Sequence, residues 1–385
     1  MFSNRTGWKI RPNRLSLELE NLNKKGAPVL DLTESNPTRC GFEFYKNLPL
    51  ECLSKPENKI YRPAPQGLEK TRAAVAAYYK EKGVCLSPDQ IILTASTSEA
   101  YAFLFRLLAN PGDTVLAPAP SYPLFDFLAD LSDITLAPYR LSYDAGWHMP
   151  FENSAYDAAA NAKALIIVHP NNPTGSFLKR GELSALNQWA TALISDEVFL
   201  DYGFDSSPER VSTLAANRDC LTFALGGISK SLGLPQMKLG WIAVNGPEAL
   251  LKTALERLEI IADTYLSVNT PVQNAAPGWL ALRGEIQKEI LARLLKNKNF
   301  LASTIKEAPA CEMLKQEGGW YSVLKIPRTR SEEEWALELL KKDGVYVHPG
   351  YFFNFEKEAF LVLSLLAEEK VFQEGVKRIL TRTKA

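Results

Sequence analysis

Ile91-Ile92-Leu93-Thr94-Ala95-Ser96-Thr97-Ser98-Glu99-Ala100, continuing as YAFLFRLLAN to residue 110, is the stretch on which the fold turns. IILTA reads as a short buried strand. STSEAYAFLFRLLAN reads as a helix that starts at once, because Glu99 follows Ser96 by three residues, the spacing of a helix N-terminal cap. A strand that runs straight into a helix is half of a β-α-β unit, and such units build parallel sheets. Working outward, Asn110-Pro111-Gly112-Asp113 is a turn and TVLAPAP (114–120) the next strand. Upstream, QGLEKTRAAVAAYYKEKG (66–83) predicts an amphipathic helix with Leu68, Val75, Ala76 and Tyr79 on one face and Gly83 as its C-terminal stop.

Downstream the rhythm repeats. ALIIVH (164–169) is apolar throughout, as in a strand covered on both faces. A helix is expected over 179–191. TALISDE (191–197), LTFALGG (221–227) and LGWIAV (239–244) predict three more strands. Helices follow over 247–262 and 272–297. WYSVLKI, VYVH and AFLVLSLL then read as strands of a smaller unit closed by a helix over 368–381. The fold class expected is α/β: a large domain with a mostly parallel sheet flanked by helices, plus a smaller α+β domain. The expected division is an N-terminal arm over 1–45, rich in turn residues and joined to the small domain, a large domain over 46–284 and a small domain over 285–385.

Composition narrows the partners. The 385 residues carry 44 Lys plus Arg against 44 Asp plus Glu, so no net field favours nucleic acid or an anionic membrane. The five cysteines are odd in number and dispersed, without a Cys-x-x-Cys pair, as in a reduced cytoplasmic protein. With three histidines in the chain and none beside a cysteine pair, no zinc site is expected. The first residues lack the apolar core of a secretory signal, and no apolar run is long enough to span a bilayer. No G-x-G-x-x-G follows the early strands, which disfavours a nicotinamide dehydrogenase.

Ligands of parallel α/β sheets sit at the carboxyl ends of the strands, and four such ends carry chemistry here. After IILTA come Ser96, Thr97 and Ser98, where a helix N-terminus offers free amides and the positive end of its dipole to an anion. After ALIIVH comes PNNPTG, a stiff turn that can aim the amide of Asn172. ALIS ends on Asp196, a carboxylate poorly placed for water and in want of a cation. LTFALGG leads to Ser229 and Lys230, an amine whose desolvation would make it a Schiff-base nucleophile. Each feature alone is as easily a cap, a turn, a salt bridge or a surface charge. Together they describe a seat for a phosphate, an amide, a carboxylate and a lysine. Lys238 could balance the anion.

These segments resemble the class I/II aminotransferase family, the fold-type I enzymes dependent on pyridoxal 5'-phosphate. The likeness runs from about residue 28 to the C-terminus. It is strongest in NNPTG (171–175), SDEV (195–198) and SKSLGLPQMKLGW (229–241), and YRPAPQGLEKTRAAVAAYY (61–79), LTASTSEA (93–100) and NPGDTVLAPAPSYPLF (110–125) support it. The resemblance implies that Lys230 carries the cofactor as a Schiff base and later moves the proton at the substrate α-carbon. It implies that Asp196 holds the pyridine nitrogen, Asn172 the ring hydroxyl, and Tyr122 the ring face. Ser96, Thr97, Ser229 and Lys238 would hold the phosphate. Tyr61 would reach the cofactor of a neighbouring subunit, which implies a homodimer with shared sites, and Asn36 would line the substrate pocket. The activity implied is transfer of an amino group between an amino acid and a 2-oxo acid. A β-lyase, decarboxylase or racemase of the same fold is the rival. A transcriptional regulator with such a domain is disfavoured by the missing basic excess and DNA-binding segment.

Three positions depart from the family pattern. Lys238 replaces an arginine. Val362 falls where the family has the arginine that grips the substrate carboxylate, leaving Arg39 and Arg62 as candidate substitutes. Phe199 replaces a tyrosine whose hydroxyl donates to the ring oxygen, a bond that phenyl cannot make. The Schiff base of the wild type should therefore keep its proton to higher pH than that of Phe199→Tyr. Parallel spectrophotometric pH titrations test this, and superimposable curves would remove it.

Overall fold

The structure is a computed structural model that describes residues 1–8, 11–149, 161–357 and 359–384. The N-terminal arm begins with helix α1 (Arg14–Lys24), whose start is fixed by Asn13 Oδ1 accepting the amide of Ser16 at 2.7 Å, and continues into a short strand β1 (Leu30–Asp31). The expectation of an arm built from turns missed α1. Its signal is weak because Leu15 is its one buried residue.

The central sheet is assembled from β2 (Ile91–Thr94), β3 (Thr114–Ala119) and β4 (Thr135–Arg140); the small hairpin β5 (Ser142–Tyr143) and β6 (Trp147–His148) stands apart. It continues with β7 (Ala164–Val168), β8 (Leu193–Asp196), β9 (Thr222–Gly227) and β10 (Gly240–Asn245). The seven strands lie in the order β2-β10-β9-β8-β7-β3-β4. Pairing is parallel from β9 to β4, while β10 runs antiparallel to both β2 and β9. The expected mostly parallel sheet is therefore present. The reversal at β10 is invisible in an apolar run, since burial on both faces carries no sign of direction.

Helices cover both faces: α2 (Glu69–Glu81), α3 (Thr97–Leu108), α4 (Phe125–Leu131), α5 (Arg180–Trp189), the single turn α6 (Ile228–Ser231), α7 (Glu248–Tyr265) and α8 (Thr270–Ala281). One core packs Trp241 and Trp279 with α2 and α8, and a second packs Phe103, Phe105 and Phe223 beneath α3 and α7. The helix expected over 272–297 breaks at Leu282 into α8 and α9 (Arg283–Thr304).

The smaller unit contains β11 (Glu312–Met313), β12 (Tyr321–Lys325), α10 (Glu332–Asp343), β13 (Val345–Tyr346), β14 (His348–Pro349), β15 (Phe360–Ser364) and α11 (Glu369–Lys384). Its four-stranded sheet has the order β11-β12-β15-β14. β1 pairs in parallel with β13, so the arm is hydrogen-bonded into this unit. No helix among the described residues is long and apolar enough to cross a membrane.

Candidate active site

The carboxyl ends of β2, β7, β8 and β9 open onto one cavity of about 260 Å³. Ser96, Thr97, Tyr122, Asn172, Asp196, Ser229 and Lys230 all line it. With Ser98 and Phe199, which line it too, nine of the positions singled out from sequence are brought together by four separate strand ends and the Tyr122 loop.

Each is aimed by local bonding. Ser96 Oγ accepts the amide of Glu99 at 3.1 Å, which caps α3. The Glu99 carboxylate turns back to accept the Ala95 amide and the Ser267 hydroxyl, both at 2.7 Å. The first-turn amides of α3 beyond this cap have no intrahelical acceptor, and they face an anion seat. Gly240 forms the opposite wall: a Cβ there would lie 3.1 Å from Thr94 Oγ1 and 3.2 Å from the Ser96 carbonyl carbon, so a side chain would push these neighbours aside by a few tenths of an ångström.

In the next turn Asn171 does the structural work. Its Oδ1 accepts the Thr174 hydroxyl at 3.0 Å, and its carbonyl accepts the Gly175 amide at 2.8 Å. Gly175 sits at φ +70° with the carbonyl of Gly318 packed where a side chain would be. Asn172 is left for the cavity, and its Oδ1 is buried without a partner among the described residues.

Asp196 ends β8. Its Oδ1 accepts the Val198 amide and its Oδ2 the Tyr101 hydroxyl, both at 3.2 Å. Burial pushes the carboxyl up to about 6, against the pull of those two donors and of Lys230. Glu197 faces the opposite side of the chain. It accepts from the Thr213 hydroxyl at 2.6 Å and the Leu214 amide at 2.7 Å, and burial raises it to about 7. Glu197 is a packing carboxyl; Asp196 is the one that lines the cavity.

Lys230 extends from α6, whose backbone is pinned by the Tyr202 hydroxyl donating to the Lys230 carbonyl at 2.7 Å. Its ammonium nitrogen lies 4.9 Å from the centre of the Trp320 ring and 5.7 Å from that of Phe199. Burial lowers the amine to about 8, with Asp196 acting in the opposite direction. Phe199 is thus beside the Lys230 amine and brings no donor. Trp320 and Tyr321 are delivered from the small unit by Glu317, which accepts from Lys179 at 2.5 Å, Arg210 at 2.9 Å and the Phe177 amide at 3.1 Å.

The remaining sequence candidates lie elsewhere. Asn36, Arg39 and Lys238 line an adjoining cleft of about 680 Å³ that shares Lys230. Tyr61 and Arg62 open onto a different pocket of the same chain, with Ala262, Leu266 and Gln273. Val362 is buried in β15 and brings no cation. Ser35, Phe125, Val198 and Tyr321 join the cavity, and Tyr101 stands behind Asp196. Val198 and Phe125 each end one of the segments that match the family, and Tyr101, four residues after Thr97, shares that residue's face of α3.

The arrangement fits pyridoxal phosphate on its own terms. It offers an anion seat, a desolvated carboxylate suited to a ring N–H⁺, an unpartnered amide and an amine of lowered basicity. Among the described residues no cluster of His, Cys, Asp or Glu could hold a metal.

A sequence profile of the family described as aminotransferase class I and II matches residues 28–379. A glutamate-pyruvate aminotransferase of Haemophilus influenzae is 28% identical over 371 residues, covering 93% of this chain and 91% of that protein. An alanine aminotransferase of Mycobacterium tuberculosis is 26% identical over 374 residues, covering 93% and 86%. The solved structure of an alanine aminotransferase from Pyrococcus furiosus superposes with a TM-score of 0.89 at 24% identity, with both chains fully covered. The chain belongs to the class I and II aminotransferase family, and it is an enzyme of amino-group transfer.

The lowered basicity of Lys230 predicts its chemistry. In protein free of cofactor, acetylation at Lys230 should rise with pH through a midpoint near 8, well below the ~10.4 of an ordinary lysine. In Asp196→Asn the midpoint should fall further, because the carboxylate that favours the ammonium is gone. Peptide mass spectrometry across a pH series measures both, and a midpoint near 10 would contradict the reading.

Proposed function

We propose that this enzyme uses pyridoxal phosphate held in the Lys230 cavity to move an amino group from an amino acid to a 2-oxo acid. The observation that carries this reading is the meeting of the Lys230 amine, lowered by burial, with the buried Asp196 carboxyl in one cavity. When bound, the cofactor supplies a ring that accepts the electrons left at the substrate α-carbon. Lys230 Nζ would hold the cofactor through its aldehyde and, once released by the incoming amine, carry the α-proton as a general base and acid. Asp196 would keep the ring nitrogen protonated, which also relieves its own desolvated charge. Asn172 would bind the ring hydroxyl and Tyr122 cover the ring face. Ser96, Thr97, Ser229, the first-turn amides of α3 and Lys238 would receive the phosphate.

The working unit proposed is a homodimer. Tyr61 is 74% exposed on its own chain, next to exposed Ile60 in sequence and sharing a pocket with exposed Leu266. Such an apolar patch suits a partner subunit, to which Tyr61 and Arg62 would then contribute. The division at residues 45 and 284 is retained in this reading: the large domain carries the seven-stranded sheet, and the arm joins the small domain through β1 and β13. A reducing cytoplasm suits the five unpaired cysteines.

The test is a single turnover. With alanine or glutamate, the amino acids for which the relatives are named, the loaded enzyme should release one equivalent of 2-oxo acid per subunit and no ammonia. Further turnover should require a second 2-oxo acid, and Lys230→Ala should slow it by roughly 10²–10⁴-fold or more. Light scattering on the same sample should give twice the chain mass. Ammonia and pyruvate released without an acceptor would instead assign the site to lyase chemistry.

A further inference from the structure

Val362 leaves the substrate carboxylate without the arginine expected on β15, and strand register shows what stands beside that position. Val362 pairs with Val323 on one side and with His348 of β14 on the other. Directly paired residues of antiparallel strands project to the same face, so His348 is the polar group nearest in register to the missing arginine. His348 also lines the cleft that contains Lys230, Asn36, Arg39 and Lys238.

Its ring is held rather than free. It packs against Tyr346, Phe352 and Phe353 with centroids 5.8, 5.6 and 6.0 Å away. Neither ring nitrogen has a hydrogen-bond partner among the described residues. Arg39 is exposed on the same cleft and pairs with no carboxylate among the described residues.

The turn that bears Arg39 is fastened to the same strand as Val362. The Ser364 amide donates to the Leu32 carbonyl and its hydroxyl to the Glu34 carbonyl, both at 2.7 Å. Asn36 Oδ1 then accepts the Thr38 hydroxyl at 2.8 Å, which sets the bend before Arg39. The two acids of the cleft are engaged locally: Asp31 Oδ1 accepts the amide and hydroxyl of Thr33 at 2.7 Å each, and Glu34 Oε1 accepts the Asn36 amide at 2.8 Å. Neither occupies Arg39.

We propose that Arg39 and His348 together form the carboxylate seat of this enzyme, replacing the single arginine of β15 with a cation and an imidazole on two elements tied to that strand. This deepens the aminotransferase reading and rests on it. It assigns the substrates as amino acids and oxo acids whose carboxylate approaches from the 33–39 turn.

A pH signature follows. Burial lowers His348 in the free protein, with Asp31 opposing. The charged and titratable groups around it are Asp31 and Tyr346 on β1 and β13, Glu34 and Arg39 on the turn, and Lys230 and Lys238; Phe352 and Phe353 add none. A bound carboxylate favours the imidazolium, so binding takes up a proton near neutral pH and weakens as pH rises past the bound-state value.

The experiment titrates the cofactor-loaded enzyme with phenylpropionate, a carboxylate with no amino group to transfer, by calorimetry in two buffers of different ionisation heat. Wild type should take up a fraction of a proton on binding. His348→Gln should abolish that uptake and weaken binding. Arg39→Ala should weaken binding roughly tenfold or more and raise KM for the amino acid with little change in kcat, and Arg39→Lys should recover part of the loss. Arg39 is exposed, so its variants keep the fold. Wild-type affinity and proton uptake in both Arg39→Ala and His348→Gln would overturn the seat while single-turnover transfer continued. Efficient use of phenylpropylamine, which has no carboxylate, would overturn it too. Loss of transfer in wild type would instead fail the reading beneath it.

Discussion

A carboxylate and an amine of opposite charge share one buried cavity, and burial acts on both more strongly than they act on each other. Asp196 is raised and Lys230 lowered, so each group is pushed toward its neutral form although their mutual attraction favours the charged ones. Without a ligand this is a cost to the folded chain, since buried charges need partners that the protein alone does not fully supply. A planar cation at Asp196 and a covalent partner for Lys230 would remove that cost. Holding the two groups in one cavity at this cost is a pattern in which function is bought with local stability.

The surrounding framework keeps the two groups from relaxing. Tyr101 reaches Asp196 from α3, and Tyr202 clamps the backbone at Lys230. The Ser231 hydroxyl donates to the Gly227 carbonyl at 2.8 Å and closes the turn between strand and lysine. From the other unit, Glu317 gathers Lys179, Arg210 and the Phe177 amide, and so presses Gly318 against the Asn172 turn and Trp320 against the lysine.

Much of this architecture is legible in the sequence. Runs such as ALIIVH and LTFALGG declare strands because they are too apolar and too short for anything but a covered sheet. The residues that follow them, Asn172, Asp196 and Lys230, fall into one cavity because parallel strands end together. What stayed hidden has physical causes. The reversal of β10 and the edge strand β4, interrupted by Pro138 and largely exposed, leave no clear periodic trace. α1 buries too little to announce itself. Ser35 and Tyr321 reach the cavity, and His348 the adjoining cleft, from the arm and the small unit, and no local pattern encodes contacts between segments so far apart in the chain. Tyr61 and Arg62, adjacent to well-matched motif residues, turn to a separate pocket of their own chain.

The proposed chemistry requires a covalent bond at Lys230 Nζ. Purified protein incubated with pyridoxal phosphate and then reduced with borohydride should carry one cofactor per chain, and peptide mapping should place it on Lys230. Recovery of the label on another lysine, or of unlabelled protein, would contradict the account at its base.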